Sequence, residues 1–281
     1  VEAKPSFIKA LSQADLLCLT GLDLEIGYLP VLIQNSRNAR ILKGAPGYVD
    51  GSAAITPRDG PTGPVDRSMG DVHAGGNPHY LLDPICGLQV AGLIRDKLSE
   101  VRPEDAAGFR SRYEAFRARL GEALVGRPLA EKYPAEFEKL AQLYEYGKLI
   151  EFLKSKGEDG LLGGWLGTMA SHHGAKAVGD HNMWPYFAAR FGLKLVGFLE
   201  PKPGIAPTTK HLGRLVETMK AEGVKVILAT AYYDPRHAEF AALHAGAKIA
   251  SMANQAGARP GTEDYLAMVD YNVKQVAEAL R

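Results

Sequence analysis

The chain has 281 residues, 46% of them hydrophobic and 23% charged, a balance that excludes disorder as the dominant state and fits one large domain or two ordinary ones. Lys plus Arg number 33 against 32 for Asp plus Glu, and a net charge of +1 argues against a dedicated nucleic-acid binder, which carries a basic excess. No apolar run approaches the ~18 residues of a membrane helix, since the longest candidate, residues 224–233, is interrupted by Lys225 and Thr230.

In chain order, residues 14–20 read as a strand, with Cys18 inside the apolar run Leu16-Leu17-Cys18-Leu19 as buried packing. Cys18 and Cys86 are too few for a disulfide scaffold and lack metal-pair spacing, which leaves a single Cys18–Cys86 bridge open. Residues 22–34 and 85–98 read as helices, 40–42 and 52–56 as weak strands. Residues 44–76, rich in Gly, Pro and Asp, read as loop. Pro103, followed by Glu104 and Asp105, suits the first turn of a helix. Phe109, Tyr113, Phe116, Leu120 and Leu124 then recur at spacings of four and three until Gly126 and Pro128. At ~1.5 Å per residue this helix is roughly 34 Å long, enough for a strut between two lobes, although a plain core helix fits the pattern equally. A further helix is expected over residues 135–156. The glycine-rich run 160–167 reads as a turn, because a phosphate cradle needs a helix amino-terminus behind it.

From residue 175 onward strands and helices alternate. Strands are expected at 175–179, 194–199, 224–230 and 247–250, and helices at 182–191, 208–222, 235–245 and 262–280. In the second of these helices Leu212, Leu215, Val216 and Met219 fall on one face. This alternation predicts a parallel sheet with helices on both faces, an α/β fold. The first half is short of strands by comparison, and no internal repeat relates the halves.

Familiar catalytic signatures are missing from the sequence: there is no G-x-S-x-G elbow, no Walker A loop and no G-x-G-x-x-G after a strand. Histidine placement is more informative. His73 and His79 lie in Asp71-Val72-His73-Ala74-Gly75-Gly76-Asn77-Pro78-His79, where Pro78 holds Asn77 extended and Asp83 stands ready to cap a helix starting at Pro84. His181 lies in Gly179-Asp180-His181-Asn182, where a strand ends and a helix begins, the place where open α/β sheets bind ligands. Either histidine suits a ligand or an ordinary surface or capping role. His172, His173, His211, His237 and His244 read as packed or solvated.

The frames Asn77-Pro78-His79-Tyr80-Leu81-Leu82-Asp83-Pro84 and His181-Asn182-Met183-Trp184-Pro185-Tyr186-Phe187 resemble the zinc- and manganese-specific solute-binding proteins of ABC importers, the TroA-like cluster A-I family. The blocks beginning at Pro5, Gly21 and Tyr265 resemble it too, in family order and across nearly the whole chain. The resemblance implies two α/β lobes with parallel sheets joined by a long rigid helix. The lobes would be residues 1–102 and 127–281, the linking helix residues 103–126, with one divalent metal ion bound between the lobes. The family's second and third histidines map onto His79 and His181. Its first lies in an Asp-Pro-His motif shortly before the block that starts here at Pro5, so that ligand and the opening strands are expected to precede Val1.

Where the family often supplies an aspartate as fourth ligand, this sequence has Asn254, a poorer zinc donor that adds no charge; Glu200, Asp180 or water are the alternatives. Glu200 otherwise reads as an exposed loop carboxylate. Many zinc-binding relatives carry a His-rich loop before the Asn-Pro-His frame; here it retains only His73, a loop residue or an auxiliary metal contact. Neutral imidazoles suit zinc, with manganese or iron as alternatives, and affinity should fall as pH drops through ~6.5.

The resemblance thus implies no enzyme but an extracytoplasmic protein, secreted or lipid-anchored and monomeric, that delivers its ion to the membrane permease of an ABC importer. Two rival readings remain. One is a metal-dependent enzyme on a doubly wound sheet, with Glu200 or Asp180 completing an open site. The other is an adhesion or partner-binding protein that keeps the fold without the metal.

Overall fold

A computed structural model describes residues 4–60, 73, 75–202 and 204–281. Much of the loop expected at 44–76, with Asp71 and Val72 of the first histidine frame, lies outside the described residues. The fold is mixed α/β with parallel sheets. The chain divides into two compact units. One comprises Val1–Val65, Val72–Tyr80 and Ile85–Arg117, the other Asp66–Asp71, Leu81–Pro84 and Ala118–Arg281.

The first unit opens with α1 (Pro5–Gln13), β1 (Leu17–Leu19) and α2 (Leu29–Ser36), followed by β2 (Tyr48–Asp50). Strands β1 and β2 pair in parallel, Leu17 opposite Tyr48 and Leu19 opposite Asp50. Helix α1 starts on a proline at its first turn, and its last carbonyls are closed by Asn38, whose Nδ2 donates to Leu11 O (2.8 Å) and Ala14 O (2.7 Å). Helix α3 (Pro84–Val101) comes after these, then α4 (Ala106–Val125), preceded by a 3-10 turn at Pro103–Asp105. Leu29, Leu32, Ile41, Val49, Tyr80 and Leu88 form buried packing in this unit.

Several expectations for this half fail for local reasons. The helix expected at 22–34 begins only at Leu29, because Leu22 and Asp23 take left-handed φ of 52° and 62° and Pro30 favours a helix start. The weak strands expected at 40–42 and 52–56 are 3-10 turns at Ala39–Ile41 and Gly51–Ala54, each started by a side-chain cap, Asn38 and Asp50. The actual second strand, Tyr48–Asp50, lies inside the segment read as loop. Cys18 is exposed, Cys86 is buried, and no bond joins them.

The second unit takes in the end of α4, where Leu120, Leu124 and Val125 are fully buried. It continues through α5 (Arg127–Lys132), α6 (Phe137–Glu145), α7 (Leu149–Lys156) and α8 (Gly164–Met169). The single helix expected at 135–156 is two, broken where Gly147 takes φ 69°, a conformation cheap only for glycine. Then come β3 (Lys176–Gly179), α9 (Pro185–Arg190), β4 (Lys194–Phe198), α10 (Thr209–Glu222), β5 (Val226–Thr230), α11 (Pro235–Ala245), β6 (Lys248–Met252) and α12 (Tyr265–Leu280). All four strands are parallel, in the order β4-β3-β5-β6. The predicted face of α10, Leu212, Leu215, Val216 and Met219, packs with Val178 and Ile227 of the sheet and with Ala238, Ala241 and Ala242 of α11. Each large aliphatic chain so buried stabilises the fold by ~1.5–3 kcal/mol. Helix α12 packs on β5 and β6.

Candidate metal-binding site

Strand order places the site. From β3 the chain crosses through α9 to β4 on one side; from β5 it crosses through α11 to β6 on the other. Where neighbouring strands send their connections opposite ways, a crevice opens at their carboxyl ends. Asp180 and His181 lead directly from β3 into that crevice.

Asp180 is 2% exposed, and its oxygens are committed to structure. Oδ2 accepts from Thr230 N (2.6 Å) and Thr230 Oγ1 (2.9 Å) at the end of β5. Oδ1 accepts from His181 N (2.8 Å) and from Trp184 Nε1 (2.8 Å). The carboxylate thereby staples β3 to β5 and shapes the turn that carries His181. Burial pushes the Asp180 carboxyl above the usual range, and its hydrogen-bond donors pull the other way.

His181 emerges with its side chain 11% exposed. Its Nδ1 lies 2.6 Å from Glu200 Oε2, and its ring stacks on Tyr233 with centroids 5.6 Å apart and planes 20° apart. Glu200 stands just past β4; its N–H donates to Asp180 O (3.1 Å), and Oε2 also accepts from Gly204 N (3.2 Å). With its side chain 9% exposed, Glu200 is no solvated loop carboxylate. A cavity of about 230 Å³ opens beside it, walled by Asp180, Leu199, Pro207, Tyr233 and His237.

His79 belongs to the first unit. Asn77 Oδ1 accepts from His79 N (3.0 Å) and lies 2.8 Å from His79 Nδ1, so the histidine is braced by the residue two before it. Asn77 is buried, and its N–H donates to Arg58 O (2.9 Å). Tyr80 is fully buried, its hydroxyl donating to Thr20 O (2.5 Å). A side chain at Gly51 would collide with that hydroxyl at 2.6 Å, which keeps Gly51 bare.

The next segment, Leu81–Pro84, belongs to the second unit and is anchored there. Both oxygens of Asp83 accept from Arg190, Oδ1 from Nε (2.8 Å) and Oδ2 from Nη2 (3.0 Å). Arg190 Nη1 donates to Ala141 O (2.8 Å), and the Tyr265 hydroxyl donates to Leu81 O (2.9 Å). Asp83 directly precedes α3, which starts at Pro84 as expected, and its carboxylate also takes this buried fork at the end of α9, the helix next in the chain after His181.

Of the remaining expected site residues, Asn254 is exposed in the loop after β6, at the same end of the sheet as His181. His73 is half-buried, its carbonyl accepting from Gly76 N (3.2 Å). His181, Glu200 and Asp180 are in mutual contact within the second unit. Among the described residues no group of three or more His, Cys, Asp or Glu converges as a metal cage. His173, His211 and His244 bond the backbone carbonyls of Tyr144, Phe198 and Phe240; His211 is half-buried, and His173 and His244 are exposed. Sequence reasoning missed Tyr233 and Thr230; both stand at or just past the carboxyl end of β5, and that position was their signal.

Among the described residues no helix is long and apolar enough to cross a membrane. No curated protein matches the chain by sequence. Its fold is similar to that of a zinc-bound deletion mutant of ZnuA, at 21% identity and TM-score 0.66, over 99% of this chain and 84% of that one. It is similar to a mutant of the laminin-binding adhesin Lmb of Streptococcus agalactiae, at 20% identity and TM-score 0.67, over 100% and 86%. The solute-binding protein FpvC of P. aeruginosa, in complex with Ni2+, is similar at 17% identity and TM-score 0.67, over 99% and 83%. The family model described as the periplasmic component A of the zinc-uptake complex, ZnuA, matches residues 1–125 and 163–279. With a match over most of its length, the chain belongs to the ZnuA family of metal-binding solute-binding proteins of ABC importers.

Proposed function

We propose that this protein captures one divalent metal ion outside the cytoplasm, zinc in preference to manganese or iron, and passes it to the membrane permease of an ABC importer. His79 and His181 are ligands, and Asn254 or water fills a further position. The observation that carries this is the presentation of His181: a histidine at the topological switch point, braced by a buried carboxylate and an aromatic ring. A ring so held matches what metal-ligating histidines require. Nitrogen donors favour zinc, nickel and their neighbours over manganese, which prefers oxygen. The folds similar to this one hold zinc, nickel, manganese or cadmium, so the preference for zinc rests on the donor set.

Metal content by mass spectrometry, with zinc titration of the wild type and of His181→Ala, tests the reading. One zinc per chain is expected, with affinity in the variant reduced beyond the ~10–100-fold that loss of a supporting partner alone produces. No metal and no titration in either form would remove zinc capture and leave a fold kept for partner binding.

A further inference from the structure

We propose that Glu200 is a positioning residue for His181 and not itself a ligand of the ion. The inference rests on His181 being a ligand, and adds how this chain prepares that ligand before metal arrives. A carboxylate only accepts hydrogen bonds, so its 2.6 Å approach to Nδ1 places the proton of the neutral imidazole on Nδ1 and the lone pair on Nε2. Glu200 Oε2 is shared between that ring nitrogen and Gly204 N, and the Glu200 backbone is tied to Asp180 O. The carboxylate is thus held in place from its own loop and from the turn that carries His181.

Stacking on Tyr233 adds a second restraint. The hydrogen bond fixes which nitrogen is protonated; the parallel ring, 5.6 Å away, limits rotation of the imidazole plane. A free histidine must choose tautomer and plane when it meets a metal. This one has both chosen, and a carboxylate partner makes the remaining nitrogen a stronger donor. Glu200 therefore supplies negative charge across the imidazole ring from the ion, while the atom offered to it stays nitrogen. That arrangement favours zinc-like ions without drawing in manganese through a direct carboxylate.

The test uses the full chain, labelled with 15N and free of metal, at a pH where imidazoles are neutral. Long-range proton–nitrogen spectra identify the tautomer of His181, assigned by the signals that vanish in His181→Ala. The wild type should show Nδ1 protonated. Glu200→Gln keeps an acceptor oxygen and should keep that tautomer; Glu200→Ala should give a mixture. Zinc affinity should fall ~10–100-fold in Glu200→Ala and recover in part in Glu200→Gln. Glu200→Gln, nearly the same shape, serves where the alanine variant does not fold. A wild-type ring protonated on Nε2 overturns the proposal. So does an unchanged tautomer with unchanged zinc affinity in Glu200→Ala. Glu200→Gln losing zinc as fully as His181→Ala while keeping the tautomer would make Glu200 a ligand, and overturns it too. If the wild type takes up no zinc, the capture reading fails, and the metal-free spectra still decide whether Glu200 sets the ring.

Discussion

His181 and His79 are held in different ways. His181 is fixed by Glu200 after β4 and Tyr233 after β5, both far away in sequence, and by its neighbour Asp180, which is joined to Thr230 across the sheet. His79 is braced by Asn77, two residues earlier, inside a turn stiffened by Pro78. The first arrangement needs the whole sheet to be folded; the second is mostly local. A position defined by packed strands is more precise than one defined by a loop. His181 is accordingly the more precisely held of the two, and within the second unit Arg190 grips Asp83 at the start of α3.

The largest effect is expected at that grip. Arg190 and Asp83 are 5% and 1% exposed, and the guanidinium forks onto both carboxylate oxygens. Arg190→Ala removes the fork and leaves a buried carboxylate stripped of it, a change that costs ~3–5 kcal/mol. Urea unfolding should show a loss of that size. Hydrogen exchange should quicken in Leu81–Pro84 more than in β3 and β5. A loss under ~1 kcal/mol would mean that the pair is solvent-screened, as surface ion pairs are.

The two units also differ in how far their sequences could be read. In the second, strands of four or five residues alternate with helices whose caps are visible as residues: Thr208 caps α10, accepting from His211 N (3.2 Å), and Gly223 ends it at φ 67°. Local propensity and tertiary packing agree there, so the pattern sufficed. In the first unit the two described strands have three residues each: β1 falls inside the strand read at 14–20, but β2 lies in a stretch whose Gly and Pro read as loop, and Asp50 opens a 3-10 turn where a strand was expected. His79 and His181 stood out in the sequence because proline, aspartate and a strand end frame them. Their bracing was not. Glu200 and Asp180 read as alternative ligands, Glu200 otherwise as a loop carboxylate, because nothing local shows that its loop folds back onto residue 181; Tyr233 read as the tail of an apolar run. Cys18 failed likewise: an apolar run implies burial only if something covers that face.

The staple under His181 is the next lever. Asp180→Asn keeps one acceptor oxygen but turns the other position into an amide that faces the donors of Thr230 or of Trp184 and His181. Orphaning such buried donors costs ~1–3 kcal/mol. Thermal unfolding should register that loss, and zinc affinity should drop as well, because the turn carrying the ring is what has slackened. Should stability fall with zinc affinity untouched, the sheet-level bracing of His181 would matter for folding and not for the metal.

The smallest effect is expected on the other histidine. Asn77→Ala removes the oxygen that accepts from His79 N and faces His79 Nδ1. One neutral hydrogen-bond partner is worth ~1 kcal/mol of stability. Its loss should weaken zinc binding by about tenfold, the lower end of what a supporting partner contributes. Pro78 still restricts the backbone, so most of the local geometry survives. Glu200→Ala, which removes a charged partner from a more deeply constrained ring, should weaken zinc by more. Measured side by side in one titration series, the two variants rank the histidines directly. If Asn77→Ala proves the more damaging, the local turn and not the packed sheet governs how tightly the ion is held.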